Sequence, residues 1–148
     1  MKPDPTRLLE QIAHALASDV LPNVQPRYRQ ANVAILAGLA NAVREEFDRA
    51  AARRVEENAV LRVLFERGAE VATDAALAAR LREAAASRDA SLLVPALDAG
   101  NRALRALLIA LHAHIETQAT PAARELDEAI WRELVASAER RRLSSGAF

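Results

Sequence analysis

The stretch RYRQANVAILAGLANAVREEF, residues 27–47, constrains the fold more than any other part of the chain. On a helical wheel of 3.6 residues per turn, it separates a mostly large and apolar face from a face of small residues. A half-buried strand would instead alternate with a period of two, so this segment is predicted to be a helix. The bulky face comprises Tyr28, Asn32, Ile35, Leu36, Leu39, Val43 and Phe47, and the small face comprises Ala31, Ala34, Gly38, Asn41 and Glu45.

The small face has two interpretations. A glycine inside a helix costs about 1 kcal/mol relative to alanine, and Gly38 is explained if another backbone approaches closely there. On this interpretation both faces of the helix are covered, and the predicted interface residues are Ala31, Ala34, Gly38 and Asn41. The alternative is that these residues form an ordinary solvated surface of an alanine-rich protein.

Helical periodicity recurs along the rest of the chain, and no segment shows the alternation of a strand. Thr73 or Asp74 is predicted to cap a short helix, and Thr120 is predicted to cap the last helix. Gly68 is a candidate for the end of the helix that precedes the short one. Whether the second helix continues through Arg54 or bends there stays open.

These elements predict an all-α fold, a single-domain bundle of five or six mostly antiparallel helices over residues 1–143, followed by a flexible tail at 144–148. Alanine makes up about a quarter of the chain. Each buried alanine contributes only about one methyl group, worth roughly 0.8 kcal/mol. Such a core depends on surface shared between helices or between subunits, which favours a homodimer.

Composition argues against several classes of function. The formal net charge is +0 with both signs mixed, so no overall field attracts nucleic acid or an anionic membrane. The segment at 74–97 has the rhythm of a helix-turn-helix, but Pro95 falls inside its second helix. The longest uncharged apolar run is far shorter than the roughly 20 residues that span a bilayer. Because the start of the chain also lacks the apolar run of a signal peptide, a cytoplasmic location is expected.

Few residues suggest catalysis or metal binding. Cysteine is absent, which excludes thiolate chemistry. Glu10 and His14 are four residues apart, as are His112 and Glu116, whereas bundle metal sites use Glu-x-x-His spacing. Both pairs are therefore interpreted as exposed helix pairs, and no metal or cofactor is expected.

The densest carboxylates of the chain, two adjacent pairs at 45–46 and 56–57, also suggest a solvated surface. They are surrounded by arginines, which favours exposed ion pairs over a general acid in a cleft. No phosphate-binding glycine loop or Gly-x-Ser-x-Gly motif occurs, so no catalytic residue is assigned and an enzyme is not indicated. Asn101 lies beside an apolar stripe and is predicted to be partly buried, as is Asn32. The carboxylates in question are Glu45, Glu46, Glu56 and Glu57.

Two functional hypotheses remain. The first is a non-enzymatic accessory or interaction protein that self-associates and can have a further protein partner. The second is a helical bundle that binds an acyl chain or acyl-CoA in an apolar slot between helices. The residues predicted to line that slot are Leu104, Leu107, Leu108, Trp131 and Leu134.

Residues 8–47 resemble the N-terminal part of an uncharacterised bacterial all-helical family. In that family a Leu-Pro pair ends one helix, and an aromatic residue, an Asn-Ala-rich helix and an Arg-Glu pair follow. The members are encoded near acyl-CoA dehydrogenases and aminoglycoside-phosphotransferase-like kinases, so the resemblance implies a helical fold and an accessory role in acyl-CoA metabolism. It supplies no catalytic residues. The corresponding residues here are Leu21-Pro22, Tyr28, Asn32 or Asn41, and Arg44-Glu45.

Overall fold

The structure, a computed structural model, describes residues 4–143 and is all-α over that range, with five α-helices and no strand. This confirms the predicted fold class. The predicted tail at 144–148 lies outside the described residues. The helices are α1 (Pro5–Ala15), α2 (Arg27–Val71), α3 (Ala75–Ala86), α4 (Val94–Ile115) and α5 (Pro121–Arg141), with a π-helical turn at Leu16–Val20 and a 3-10 turn at Leu21–Asn23 between the first two.

The chain forms two compact units, and α2 contributes to both without a break at Arg54. The first unit contains residues 4–50 together with 142 and 143, and the second contains residues 51–141. We call residues 4–50 the N-terminal hairpin and residues 51–141 the helical core. None of the described helices has the length and apolar character needed to cross a membrane.

The N-terminal hairpin consists of α1 and the first part of α2. The Asp4 side chain accepts hydrogen bonds from the backbone amides of Thr6 and Arg7, and this cap fixes where α1 begins. The Thr6 hydroxyl donates to Asp48 Oδ1 at 2.9 Å, so the start of α1 lies beside a part of α2 that is 42 residues away. With the turn around residue 24, this contact makes the two helices antiparallel.

The helical core is built from the remaining helices and has a conventional apolar interior. Asp74 caps α3 by accepting from the amides of Ala76 and Leu77, and the Thr120 hydroxyl accepts from the amide of Ala123 at the start of α5, as predicted. All four of its helices contribute fully buried side chains, so they enclose a single interior. The largest of these apolar side chains are Leu61, Phe65, Leu81, Leu97, Leu111, Ile115, Leu126 and Ile130.

Gly68 does not end α2, as the sequence had suggested. The helix continues to Val71, and Gly68 lies where a Leu111 side chain from α4 comes close. An added Cβ at this position would be 2.7 Å from Leu111 Cδ2. The glycine therefore permits close packing of two helices.

Candidate functional sites

The most unusual surface of the chain is the bulky face of α2. Its six large side chains are between 45% and 65% exposed, whereas a soluble helix normally places such a face in a core. On a neighbouring stripe of α2, by contrast, Ala37 is buried and Val33 is half-buried. Within residues 4–143 the bulky face is therefore left uncovered, and Asn32 on the same face is exposed, contrary to the sequence prediction.

The N-terminal hairpin has almost no apolar interior. Among its described residues, the buried hydrophobic side chains are those of Ala13, Ala37 and Ala50. The hairpin exposes nine large hydrophobic residues, six on α2 and three preceding it, Leu8, Ile12 and Val20. The other large hydrophobic residues of the hairpin are at most half-buried, so the hairpin alone buries little apolar surface to offset the entropy of ordering it.

The small face of α2 is partly accessible as well. Ala31 and Ala34 are exposed and line a shallow open cleft with Leu21 and Pro22. Gly38 and Asn41 are half-buried. The predicted interface residues thus lie together along one side of α2, and two of them are accessible to another molecule.

A second candidate site is the carboxylate of Glu57, which is only 1% exposed inside the helical core. Arg141 donates to both of its oxygens, at 2.9 Å to Oε1 and 2.6 Å to Oε2. The Ser137 hydroxyl donates to Oε1 at 2.9 Å, and Asn101 Nδ2 donates to Oε2 at 3.2 Å. Helices α2, α4 and α5 therefore meet at one carboxylate.

The hydrogen bonds continue from Glu57 to the segment that connects α3 and α4. Asn101 Nδ2 also donates to Asn58 Oδ1 at 2.9 Å, and Asn58 Nδ2 donates to Asp89 Oδ1 at 2.9 Å. Arg62 forms an ion pair with Asp89 at 2.7 Å. This network, from Arg141 to Arg62, pairs polar groups that would otherwise be costly to bury.

The neighbours of the two buried carboxyls, Glu57 in the network and Glu133 beside Arg140, determine how each one titrates. Burial raises the pKa of Glu57, but hydrogen bonds from Arg141 and Ser137 and the positive charges of Arg141 and Arg105 outweigh it, so the pKa lies below its ordinary value. Burial raises the pKa of Glu133, and the attraction of Arg140 does not cancel this rise. A fully hydrogen-bonded carboxylate of low pKa is a poor general base, so Glu57 holds helices together rather than moving protons.

Sequence reasoning placed Glu57 on a solvated face and did not identify Ser137 or Arg141. A usable signal exists, because Glu57 is in helical phase with the buried apolar residues Leu61 and Phe65. A carboxylate in such a position is either buried with partners or misplaced. The partial burial predicted for Asn101 is confirmed, since its side chain is 5% exposed.

A third cluster lies where α4 ends beside α5. His112 Nε2 is 2.7 Å from Asp127 Oδ1 and 3.7 Å from Glu116 Oε1. The His112 ring also meets Trp131 edge to face, with 5.4 Å between centroids. The sequence predicted the pair of His112 and Glu116, whereas Asp127 joins them only through packing of the two helices.

The five residues predicted to line an apolar slot have different environments. Leu104, Leu107 and Leu108 are buried in the helical core. Leu134 is half-buried against that core, and Trp131 is 54% exposed. The three leucines therefore act as core residues.

Comparisons with protein-family models, with curated proteins and with solved structures found no match.

Proposed function

We propose that this chain is a non-enzymatic helical interaction protein that forms a homodimer through the bulky face of its N-terminal hairpin. The observation that carries the proposal is the contrast within residues 4–50, where the fully buried hydrophobic side chains are alanines and nine large ones are exposed. A hairpin of this kind gains a core only when another apolar surface covers it.

A second copy of the chain fits this role. The nine exposed side chains supply the apolar part of such an interface, which in a stable complex covers ~800 Å² per partner. Two antiparallel hairpins that pair along their apolar faces form a four-helix bundle, and a two-fold axis uses the same face of both copies. Because the formal net charge is +0, there is no overall repulsion between the copies.

The test is the oligomeric state over a range of protein concentrations. Sedimentation velocity should show a dimer for the unmodified chain and a monomer for Leu39→Glu and Phe47→Glu, because each places a charge in the apolar contact. Val135→Glu is the matched control, since Val135 is an exposed apolar residue of the helical core. A monomer at every concentration, or a dimer that survives both hairpin substitutions, would contradict the proposal.

The small face can be tested in the same experiment. Gly38→Leu places a large side chain on the small face, at the position that precedes Leu39 of the bulky face. If the small face contributes to the dimer, this substitution should weaken association by about 1–3 kcal/mol, as overpacking does. If the bulky face alone mediates association, Gly38→Leu should remain dimeric.

The resemblance of residues 8–47 to a bacterial helical family extends the proposal to an accessory role in acyl-CoA metabolism within the bacterial cytoplasm. Binding of an acyl chain or acyl-CoA is the alternative function in acyl-CoA metabolism. Native mass spectrometry of freshly purified protein, together with thermal shifts on addition of acyl-CoAs, separates the two. A retained acyl mass would favour ligand binding, and an unchanged melting temperature would favour the interaction role.

A further inference from the structure

We propose that His112, Glu116 and Asp127 bind one divalent transition-metal ion of the zinc class. The three residues present one imidazole nitrogen and two carboxylate oxygens, and these atoms all lie within 4.8 Å of one another. Zinc is bound in proteins by these same donors at about 2.0–2.2 Å, which places adjacent donors roughly 3.3 Å apart in a tetrahedral site. The observed separations of 2.7 Å and 3.7 Å from His112 Nε2 to the two carboxylates lie on either side of this value.

The position of each donor in the fold supports this inference. His112 belongs to the last turn of α4, Glu116 caps the end of that helix, and Asp127 lies on the second turn of α5. Packing between α4 and α5 thus fixes the donors from two directions. The edge contact with Trp131 restrains the His112 ring, and the His112 side chain is only 17% exposed.

The local charges and the neighbouring cleft also favour a cation. Two carboxylates face a single imidazole, so a dication neutralises their repulsion. Glu116, Gln118 and Asp127 line one cleft, together with the exposed Arg124. Within the described residues the amide nitrogen of Gln118 is buried without a hydrogen-bond partner.

The chemistry selects the ion. One imidazole with two carboxylates suits zinc, cobalt or nickel better than calcium or magnesium, which prefer oxygen donors alone. Three protein donors leave a coordination position for water, as in open zinc sites. Binding would also join α4 to α5 and raise the unfolding temperature.

Trp131 provides a direct probe, because it is the only tryptophan of the chain. Paramagnetic Co²⁺ bound at His112 should quench its fluorescence saturably, and added Zn²⁺ should restore it by competition. Isothermal titration with Zn²⁺ should give one site per chain. Asp127→Asn and Glu116→Gln should each weaken binding at least about tenfold, since loss of even a supporting residue has that effect.

His114→Gln is the matched control. His114 lies on the same helix, but its Nε2 pairs with Thr73, outside the cluster. Circular dichroism of each metal-free variant establishes that it is folded. If Asp127→Asn does not fold, Glu116→Gln carries the test, because Glu116 is exposed. Absence of saturable binding up to about 1 mM Co²⁺, or equal loss in His114→Gln and both carboxylate variants, would overturn the proposal.

Discussion

Glu57 remains ionised in the interior because four donor groups on two other helices, α4 and α5, surround its two oxygens. Glu57→Gln should lower the free energy of unfolding by about 2–3 kcal/mol, since an amide cannot accept from all of those donors and Arg141 loses its counter-charge. Urea denaturation measures this value. Glu56→Gln, on the exposed neighbour, should change it by less than about 0.5 kcal/mol.

The same substitution predicts a pH dependence of defined sign. The pKa of Glu57 is lowered in the folded chain, so its contribution is complete above its ordinary value of 4.5 and disappears as the pH falls through the lowered pKa. The difference in unfolding free energy between the unmodified chain and Glu57→Gln should therefore begin to narrow below pH 4.5. The pKa of Glu133 is raised, so Glu133 is not the source of this loss of stability in acid. The Glu133→Gln variant should therefore still lose stability as the pH falls. A difference between the unmodified chain and Glu57→Gln that stays constant down to about pH 3 would contradict this account.

The sequence did not reveal the Glu57 site because its partners are distant along the chain. Charges within a helix turn of Glu57 are visible in the sequence, and the nearby arginines suggested a solvated surface. The decisive partner, Arg141, lies 84 residues away, and periodicity gives no information about which helices meet. Helical phase could identify Glu57 as buried, but it could not identify what pairs with it.

At the scale of helices, local signals were sufficient for the starts of α3 and α5, because Asp74 and Thr120 satisfy backbone amides within three residues. They were insufficient for α2. Its wheel separates large from small residues correctly, yet periodicity does not state whether the same chain or another one covers the bulky face. For the same reason Gly68 suggested a helix end, whereas its neighbour in space is Leu111.

Two glycines in packed helices should respond oppositely to alanine. Gly68→Ala should destabilise the chain by about 1–3 kcal/mol, because the new Cβ would lie 2.7 Å from a side chain of Leu111 that is itself fully buried. Gly100→Ala should stabilise it by about 0.4–1 kcal/mol, since the nearest atom, Asn58 Nδ2, is 3.9 Å away and alanine is the better helix former.

Thermal and urea unfolding of these two variants, each against the unmodified chain, measure the difference. Both substitutions add the same methyl group inside a helix, so helix propensity cancels between them. Only the close approach of α4 to Gly68 distinguishes the pair. Equal effects of the two substitutions would mean that Leu111 moves aside without cost.

At the scale of the whole molecule, the two units differ in what stabilises them. The helical core buries large side chains from four helices, whereas the hairpin at 4–50 buries alanines. If the hairpin dimerises as proposed, mass action stabilises its folded form, so its stability should depend on protein concentration. The helical core has its own interior and should show no such dependence.

Hydrogen exchange followed by mass spectrometry resolves this difference by segment. Amides between residues 5 and 50 should exchange faster on dilution, while those in α3, α4 and α5 keep their protection, because local opening follows the stability of each unit. Phe47→Glu should produce the fast hairpin exchange at all concentrations, and Val135→Glu should not. If hairpin exchange is slow and independent of concentration in the unmodified chain, its stability arises without a second copy, and the bulky face serves another purpose.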